Sequence, residues 1–125
     1  MPKFSKSSLK QLETCHPALQ EVAHEALKVI GFQVTEGHRG KERQDRFVAE
    51  GRSKAPYPNS YHNKTPSLAF DLLPSPFQGW DNLNQFYRLA GVIQAIAAIK
   101  GYKVTWGGDF NNFFDGMHFQ LELED

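Results

Sequence analysis

The sequence predicts a single small domain that combines helices with short strands, and two observations carry this prediction. Its 125 residues are close to the commonest length of one domain, and a chain of that length buries roughly two-thirds of the surface it exposes when unfolded. The hydrophobic pattern also switches several times between helical and strand periodicity. No repeat, low-complexity tract or linker divides the chain. We therefore expect one domain over residues 1–125.

The first third of the chain predicts two helices and a strand. Ser7 or Ser8 is expected to cap a short helix that ends before Pro17. A longer helix follows, because an apolar stripe recurs at helical spacing until Gly31 ends it. The stripe consists of Leu19, Val22, Ala23, Ala26, Leu27 and Ile30. Residues 32–35 then alternate in the manner of a half-buried strand.

The middle of the chain predicts a third helix, a surface loop and a second strand. Residues 41–50 have the composition of a helix, and the glycine after them is its stop signal. Residues 51–59 are rich in charged, proline and asparagine side chains, which is typical of a loop. Residues 68–73 form a short apolar run between two prolines, and its length favours a strand over a helix.

The last third predicts a long helix and two strands. Asp81 or Asn82 can cap the helix, and Gly101 ends it. Its buried face is formed by Leu83, Phe86, Leu89, Ala90, Ile93, Ile96 and Ala97. Residues 102–106 and 118–123 are the strands, and the second alternates polar with apolar side chains.

Composition excludes several classes of protein. Acidic and basic residues are equal in number, whereas nucleic-acid binding needs a basic surplus. The single Cys15 cannot form an internal disulfide. The N-terminus carries no apolar segment of a secretory signal, and the longest apolar stretch, residues 89–99, is shorter than the about 20 residues that span a bilayer. We therefore expect a cytoplasmic monomer that neither binds nucleic acid nor inserts into a membrane.

Two histidines and one aspartate form the most informative polar set. Taken singly, His62 is explained as a solvated loop residue, Asp71 as the solvent-facing member of a strand, and His118 as a hydrogen-bonded structural histidine. Taken together, they offer three nitrogen and oxygen ligands and no thiolate, from separate strand or loop ends. Such a set suits zinc and leaves the fourth tetrahedral position open for water, which is the arrangement of a catalytic site.

Two further residues are candidates for catalysis. Asp115 precedes His118 by three residues, so it is expected beside a metal without ligating it, where it can accept a proton from water during attack on an amide. Read alone, it is an ordinary aspartate-glycine turn. Arg39 follows the first strand, and its guanidinium can bind a carboxylate or an oxyanion. The alternative is that it only faces water.

Four separated motifs resemble one family of zinc peptidases, the VanY-type D-alanyl-D-alanine carboxypeptidases and the related phage L-alanyl-D-glutamate endopeptidases. They occur in the family's order and span most of the chain. The motifs are Gly37-His38-Arg39; Ser60-Tyr61-His62 followed by Ser67-Leu68-Ala69-Phe70-Asp71; Trp106-Gly107-Gly108-Asp109-Phe110; and Asp115-Gly116-Met117-His118-Phe119.

The resemblance implies an α+β fold with a small antiparallel sheet, a zinc ion at the sheet, and hydrolysis of peptidoglycan stem peptides. By motif position it makes His62, Asp71 and His118 the zinc ligands. It makes Asp115 the acidic general base, and it gives Arg39 the role of holding the substrate or its oxyanion.

The chain departs from the family pattern between the first two ligands. The usual Ser-x-His-x-x-Gly-x-Ala-x-Asp spacing is two residues shorter, and residues 63–67 fill the gap here without a glycine. A connection between strands tolerates such an insertion, so we expect Asp71 to return to His62. Trp106 and Asp109 are expected to pack or support the site, with Asp109 able to orient a ligand histidine.

Three alternatives stay open. Within the same chemistry, the bond cut is either L-Ala-D-Glu or the D-Ala-D-Ala terminus, and the absence of a recognised signal favours a phage endolysin that is released from the cytoplasm at lysis. From another class, a non-catalytic cell-wall or phage structural module would keep zinc only for folding, with a fourth protein ligand or without an acid at position 115. A small binding domain without zinc is the third.

Overall fold

The computed structural model describes residues 3–123, which fold into four helices and a four-stranded sheet. The helices are α1 (Lys6–Leu12), α2 (Pro17–Leu27), α3 (Lys41–Ala49) and α4 (Leu83–Ile99). The strands are β1 (Phe32–Glu36), β2 (Ala69–Pro74), β3 (Lys103–Trp106) and β4 (His118–Glu122). Single 3₁₀ turns lie at Tyr61–Asn63 and Gly107–Asp109. Every helix and strand that the sequence predicted is present.

The sheet has the order β1-β2-β4-β3, and each neighbouring pair is antiparallel. The last strand of the chain therefore lies in the interior of the sheet, between β2 and β3. Helices and an antiparallel sheet that occupy separate parts of the structure define an α+β fold, which confirms the predicted class.

The two faces of the sheet have opposite character because side chains alternate along each strand. One face packs on α4, which in turn packs on α2, and contributes Phe70, Leu72 and Phe119 to the hydrophobic core. Cys15, a buried free thiol, belongs to the same core. The opposite face carries Asp71 and the polar residues of β4, so it is the face on which a polar site can form.

Two helix ends differ from the sequence prediction. Ser5, not Ser7 or Ser8, caps α1 by accepting a hydrogen bond from the backbone N–H of Ser8. The Ser8 hydroxyl is buried and accepts a bond from Val34 in β1. Helix α2 stops at Leu27, because the next two residues form shorter i to i+3 hydrogen bonds that tighten its last turn.

Gly31 has a packing role as well as a place after the helix. A Cβ atom at this position would lie 2.4 Å from the backbone oxygen of Ser75, so no larger residue fits. The close approach joins the start of β1 to the end of β2. Within residues 3–123 no helix is both long enough and apolar enough to cross a bilayer.

Candidate metal and active site

The candidate site is built across three strands. In the sheet register Glu36 of β1 lies beside Asp71 of β2, and Asp71 lies beside His118 of β4. Because Phe70 and Phe119 pair directly on the core face, Asp71 and His118 must point together to the polar face. His62 reaches the same place from the first 3₁₀ turn.

Three ligand atoms of these residues converge. His62 Nε2 lies 3.2 Å from Asp71 Oδ1 and 3.2 Å from His118 Nδ1, and His118 Nδ1 lies 3.5 Å from Asp71 Oδ1. Ligands held about 2.0–2.2 Å from a tetrahedral zinc ion are about 3.3 Å from one another, so the triangle has the size that zinc requires. The longer connection between His62 and Asp71 therefore does return the carboxylate to the histidine, as expected.

Both histidine rings are oriented by hydrogen bonds at their other nitrogen. His62 Nδ1 is 2.8 Å from the backbone oxygen of Gly37, and His118 Nε2 is 2.8 Å from Gln120 Oε1. A backbone carbonyl or side-chain amide oxygen can only accept, so each of these nitrogens carries the proton. The lone pairs of His62 Nε2 and His118 Nδ1 then face Asp71 Oδ1, and three acceptors at such short range need a cation among them.

The electrostatics of the cluster agree with this requirement. Burial by itself would raise the pKa of Asp71, but the charges and hydrogen bonds of His62 and His118 outweigh it and hold that pKa well below its usual range. Burial opposes protonation of His118, yet the hydrogen bond and charge of Asp71 raise its pKa above the ordinary value. Without a metal, a proton on His118 thus supplies positive charge beside Asp71.

His62 is held rigidly by its own turn and by the segment after β1. The Ser60 hydroxyl accepts a hydrogen bond from the His62 backbone N–H, and the Asn63 side chain accepts one from the backbone of Ser60. Gly37, which supplies the carbonyl for the imidazole, packs so tightly on α1 that a Cβ would lie 2.3 Å from the oxygen of Gln11. The first ligand is therefore fixed from both sides.

Asp115 is held near the candidate metal ligands by the end of β3. Trp106 donates a hydrogen bond from its indole to the oxygen of Gly116, 2.8 Å away. A Cβ at Gly107 would lie 2.3 Å from the Asp115 oxygen and 3.0 Å from the His118 Cβ, so the backbones are in direct contact. Burial raises the pKa of Asp115, and the charge of Asp71 adds to the rise against the opposing effect of nearby cationic groups.

Arg39 is buried, with 4% of its surface exposed, and its donors are occupied. Its Nε and Nη2 contact Glu36 Oε1 at 2.9 and 2.8 Å, and its Nη1 donates to Gln44 Oε1 at 3.0 Å. Nη2 also lies 3.6 Å from Asp71 Oδ2. Arg39 thus supports the carboxylate that faces the histidines, while its predicted contact with substrate stays a prediction.

A groove of about 790 Å³ runs past the cluster, and all five residues singled out in the sequence contribute to it. Its lining residues are Arg39, Phe47, residues 52–55, residues 59–62, Asp71, residues 109–113, Asp115, Met117, His118 and Gln120. The three candidate ligands and Asp115 therefore open to one cavity that is large enough for a peptide segment.

Sequence reasoning missed the residues that orient the site. Gln120 holds His118, and the available signal was the alternation of His118, Gln120 and Glu122 on one face of β4. Asp109 lines the groove, but it does not orient a ligand histidine, because Gly37 and Gln120 occupy both remaining ring nitrogens. Trp106 packs in the core and supports the segment of Asp115, as expected.

Comparisons with known proteins agree on one family. The model of the family described as phage L-alanyl-D-glutamate peptidase matches residues 1–121. The chain is 28% identical over 133 aligned residues to the L-alanyl-D-glutamate peptidase of Escherichia phage T5, and the alignment covers 95% of this chain and 97% of the relative. A crystal structure of the Serratia marcescens L-Ala D-Glu endopeptidase ChiX superposes with a TM-score of 0.80 and 31% identity, covering 95% of this chain and 89% of that one.

Proposed function

Because this chain belongs to the phage L-alanyl-D-glutamate peptidase family, we propose that its groove is a zinc-dependent active site. The protein is a peptidase that cleaves the L-Ala-D-Glu bond of peptidoglycan stem peptides, as its relatives are named to do. We assign the zinc ligands to His62, Asp71 and His118. Asp115 is the general base, and Arg39 is the supporting cation.

One observation carries the zinc assignment: two imidazole lone pairs and one carboxylate oxygen converge at tetrahedral spacing within the groove. Three protein ligands leave room for water, as catalytic zinc sites do. A fourth protein ligand would favour a purely structural metal. Among the described residues, the only group of three or more potential ligands at this spacing is the set of His62, Asp71 and His118.

The proposed reaction is hydrolysis of an amide. Zinc held by these three residues would supply Lewis acidity toward the scissile carbonyl and the attacking water. Asp115 takes a proton from that water as its oxygen attacks the carbonyl carbon, and later gives a proton to the departing amine. Its raised pKa suits both steps, because a carboxylate with a very low pKa is a poor proton acceptor.

Arg39 contributes through charge. Its guanidinium touches the Asp71 carboxylate and lies in the groove wall, so it lowers the cost of negative charge that develops during attack. Glu36 keeps it in place through two short contacts. We further propose that the domain acts as a monomer, stored in the cytoplasm of the producing cell until it reaches the wall.

The first test is the reaction itself. Purified protein should release new amino termini from peptidoglycan, lose this activity with a chelator, and regain it with zinc. Mass spectrometry of the digested muropeptides should show cleavage after L-Ala. Loss of one alanine from the stem terminus would instead indicate a D-Ala-D-Ala carboxypeptidase.

The second test separates the base from the ligands. Asp115→Asn should retain zinc in stoichiometric amount and lose about 10²- to 10⁴-fold in kcat, because general base catalysis is worth that much. His118→Ala should lose both zinc and activity. If Asp115→Asn kept most of the wild-type rate, the assignment of the base would be wrong.

A further inference from the structure

We propose that Arg52 and Lys54 form a carboxylate-binding subsite in the groove, which recognises the acidic residue on the amine side of the scissile bond. This inference rests on the proposed function. A glutamate residue has two carboxyl groups and at most one of them continues the peptide, so at least one further carboxyl group accompanies the bond that is cut. Where that group is not amidated, the enzyme meets a negative charge a few ångströms from its reaction centre.

Few positively charged side chains in the groove could bind that carboxylate. Its basic lining residues are Arg39, Arg52 and Lys54. Arg39 is 4% exposed, and its donors are directed to Glu36, Gln44 and Asp71. Arg52, in contrast, has 59% of its side chain exposed, and Lys54 is also exposed. These two residues are accessible to a substrate carboxylate.

Arg52 is also positioned before substrate arrives. Its backbone N–H donates to the oxygen of Phe47 at 2.8 Å, and its guanidinium carbon lies 4.0 Å from the centre of the Phe47 ring. The following loop is fixed by buried Gln44, whose side-chain nitrogen donates to Ser53 Oγ at 2.9 Å and to the oxygen of Ala55 at 2.6 Å. A guanidinium stacked on an aromatic ring keeps its N–H edge free for a planar acceptor.

The residues around Arg52 and Lys54 leave both side chains able to bind a substrate carboxylate. Glu50 lies 3.6 Å from Arg52 Nη1, but both side chains are more than half exposed, and such pairs contribute little. Lys54 Nζ lies 5.5 Å from the ring centre of Phe113, another groove residue. A substrate carboxylate can therefore replace Glu50, with both of its oxygens accepting hydrogen bonds from the Arg52 guanidinium.

The test compares two substrates that differ in one group. One is a stem peptide with L-Ala-D-Glu and a free glutamate carboxylate, and the other has a primary amide at that carboxylate. Wild-type enzyme should prefer the acid by about 10- to 100-fold in kcat/KM, which is the value of a charge-assisted hydrogen bond. Arg52→Gln should bring this ratio close to one, mainly through a higher KM for the acid.

Three further variants make the result specific. Lys54→Gln should reduce the ratio by less, and Arg52→Lys should retain part of it because the positive charge remains. Arg46→Gln is the matched control, since it removes the same charge from an exposed residue of α3 that does not line the groove, and it should leave the ratio unchanged. Unfolding midpoints and zinc content should match the wild type in all four.

The outcomes separate the two proposals. If wild-type enzyme cuts both substrates equally well, or if Arg52→Gln keeps the full preference, the subsite is overturned while the peptidase function stands. If wild-type enzyme cuts neither substrate, the proposed function fails and the subsite fails with it.

Discussion

A single amide side chain, that of Gln120, determines which nitrogen of His118 faces the proposed metal site. Gln120 Nε2 donates to Glu122 Oε2 at 2.9 Å, and Glu122 also accepts a hydrogen bond from the Tyr61 hydroxyl. A carboxylate accepts only, so the Gln120 amide must turn its nitrogen to Glu122 and its oxygen to His118. The ring of His118 is thereby fixed with Nδ1 toward Asp71.

Removal of this amide should weaken zinc binding without removing a ligand. We expect Gln120→Leu to lower zinc affinity by about 10- to 100-fold, because it leaves the ring free to rotate and its N–H without an acceptor. Competition with a chromophoric chelator measures this change. Gln33→Leu, the same substitution at an exposed position of β1, should have no effect, and an equal loss in both variants would contradict the positioning role.

At the level of elements, hydrophobic periodicity predicted which helices and strands exist but not the residues at which they begin and end. The apolar stripes of α2 and α4 and the alternation in β4 were sufficient to predict those elements, because burial imposes a period on sequence. The cap of α1 and the end of α2 depend on single hydrogen bonds, which several nearby residues can supply equally well. The observed start of α1 and end of α2 therefore differ from the predicted ones.

The same distinction applies to the site. The convergence of His62, Asp71 and His118 could be predicted because few residue types bind metal ions and the motifs kept their order. The partners of Arg39 were not identifiable, because its contacts with Glu36, Gln44 and Asp71 follow from the register of β1 on β2 and from the placement of α3. The register of two strands and the position of a helix depend on contacts between residues far apart in the chain, so a local sequence pattern does not predict them.

The backbone contact between the end of β3 and the segment before β4 leaves no room for a side chain at Gly107. We expect Gly107→Ala to lower the free energy of unfolding by about 1–3 kcal/mol and to reduce activity further, because the new methyl group displaces Asp115 and His118. Urea unfolding and peptidase assays measure the two effects.

Gly91 of α4 provides a matched control for that substitution. A Cβ there would meet no atom within 4 Å. Gly91→Ala should therefore raise stability by about 0.5–1 kcal/mol, the gain in helix propensity. If Gly107→Ala behaved like Gly91→Ala, the proposed close contact would be absent in solution.

For the whole molecule, zinc and protons should compete for one site. The pKa of His118 is higher in the folded, metal-free protein than the value of 6.5 in the unfolded chain. Protonation of His118 therefore stabilises the fold, and this stabilisation is complete at pH values below 6.5. It is lost as the pH rises through the pKa of the folded protein. Zinc needs the unprotonated ring, so its affinity rises over the same interval. The stabilisation by zinc should therefore be larger at about pH 8 than at about pH 5.5.

Differential scanning calorimetry with and without saturating zinc measures this difference in Tm. His62→Ala, which removes one ligand, is expected to abolish most of the shift at both pH values. A shift that is equal at the two pH values in the wild type would show that the metal does not replace a proton on these histidines.

The position of β4 has a consequence for synthesis of the protein. This strand follows the other three described strands in the chain, yet it lies between β2 and β3 and brings His118 to the groove. A chain whose synthesis stops before β4 therefore leaves β2 and β3 without the strand that pairs with both, and it lacks His118. We expect such a truncated chain to bind no metal at this site and to cleave no stem peptide.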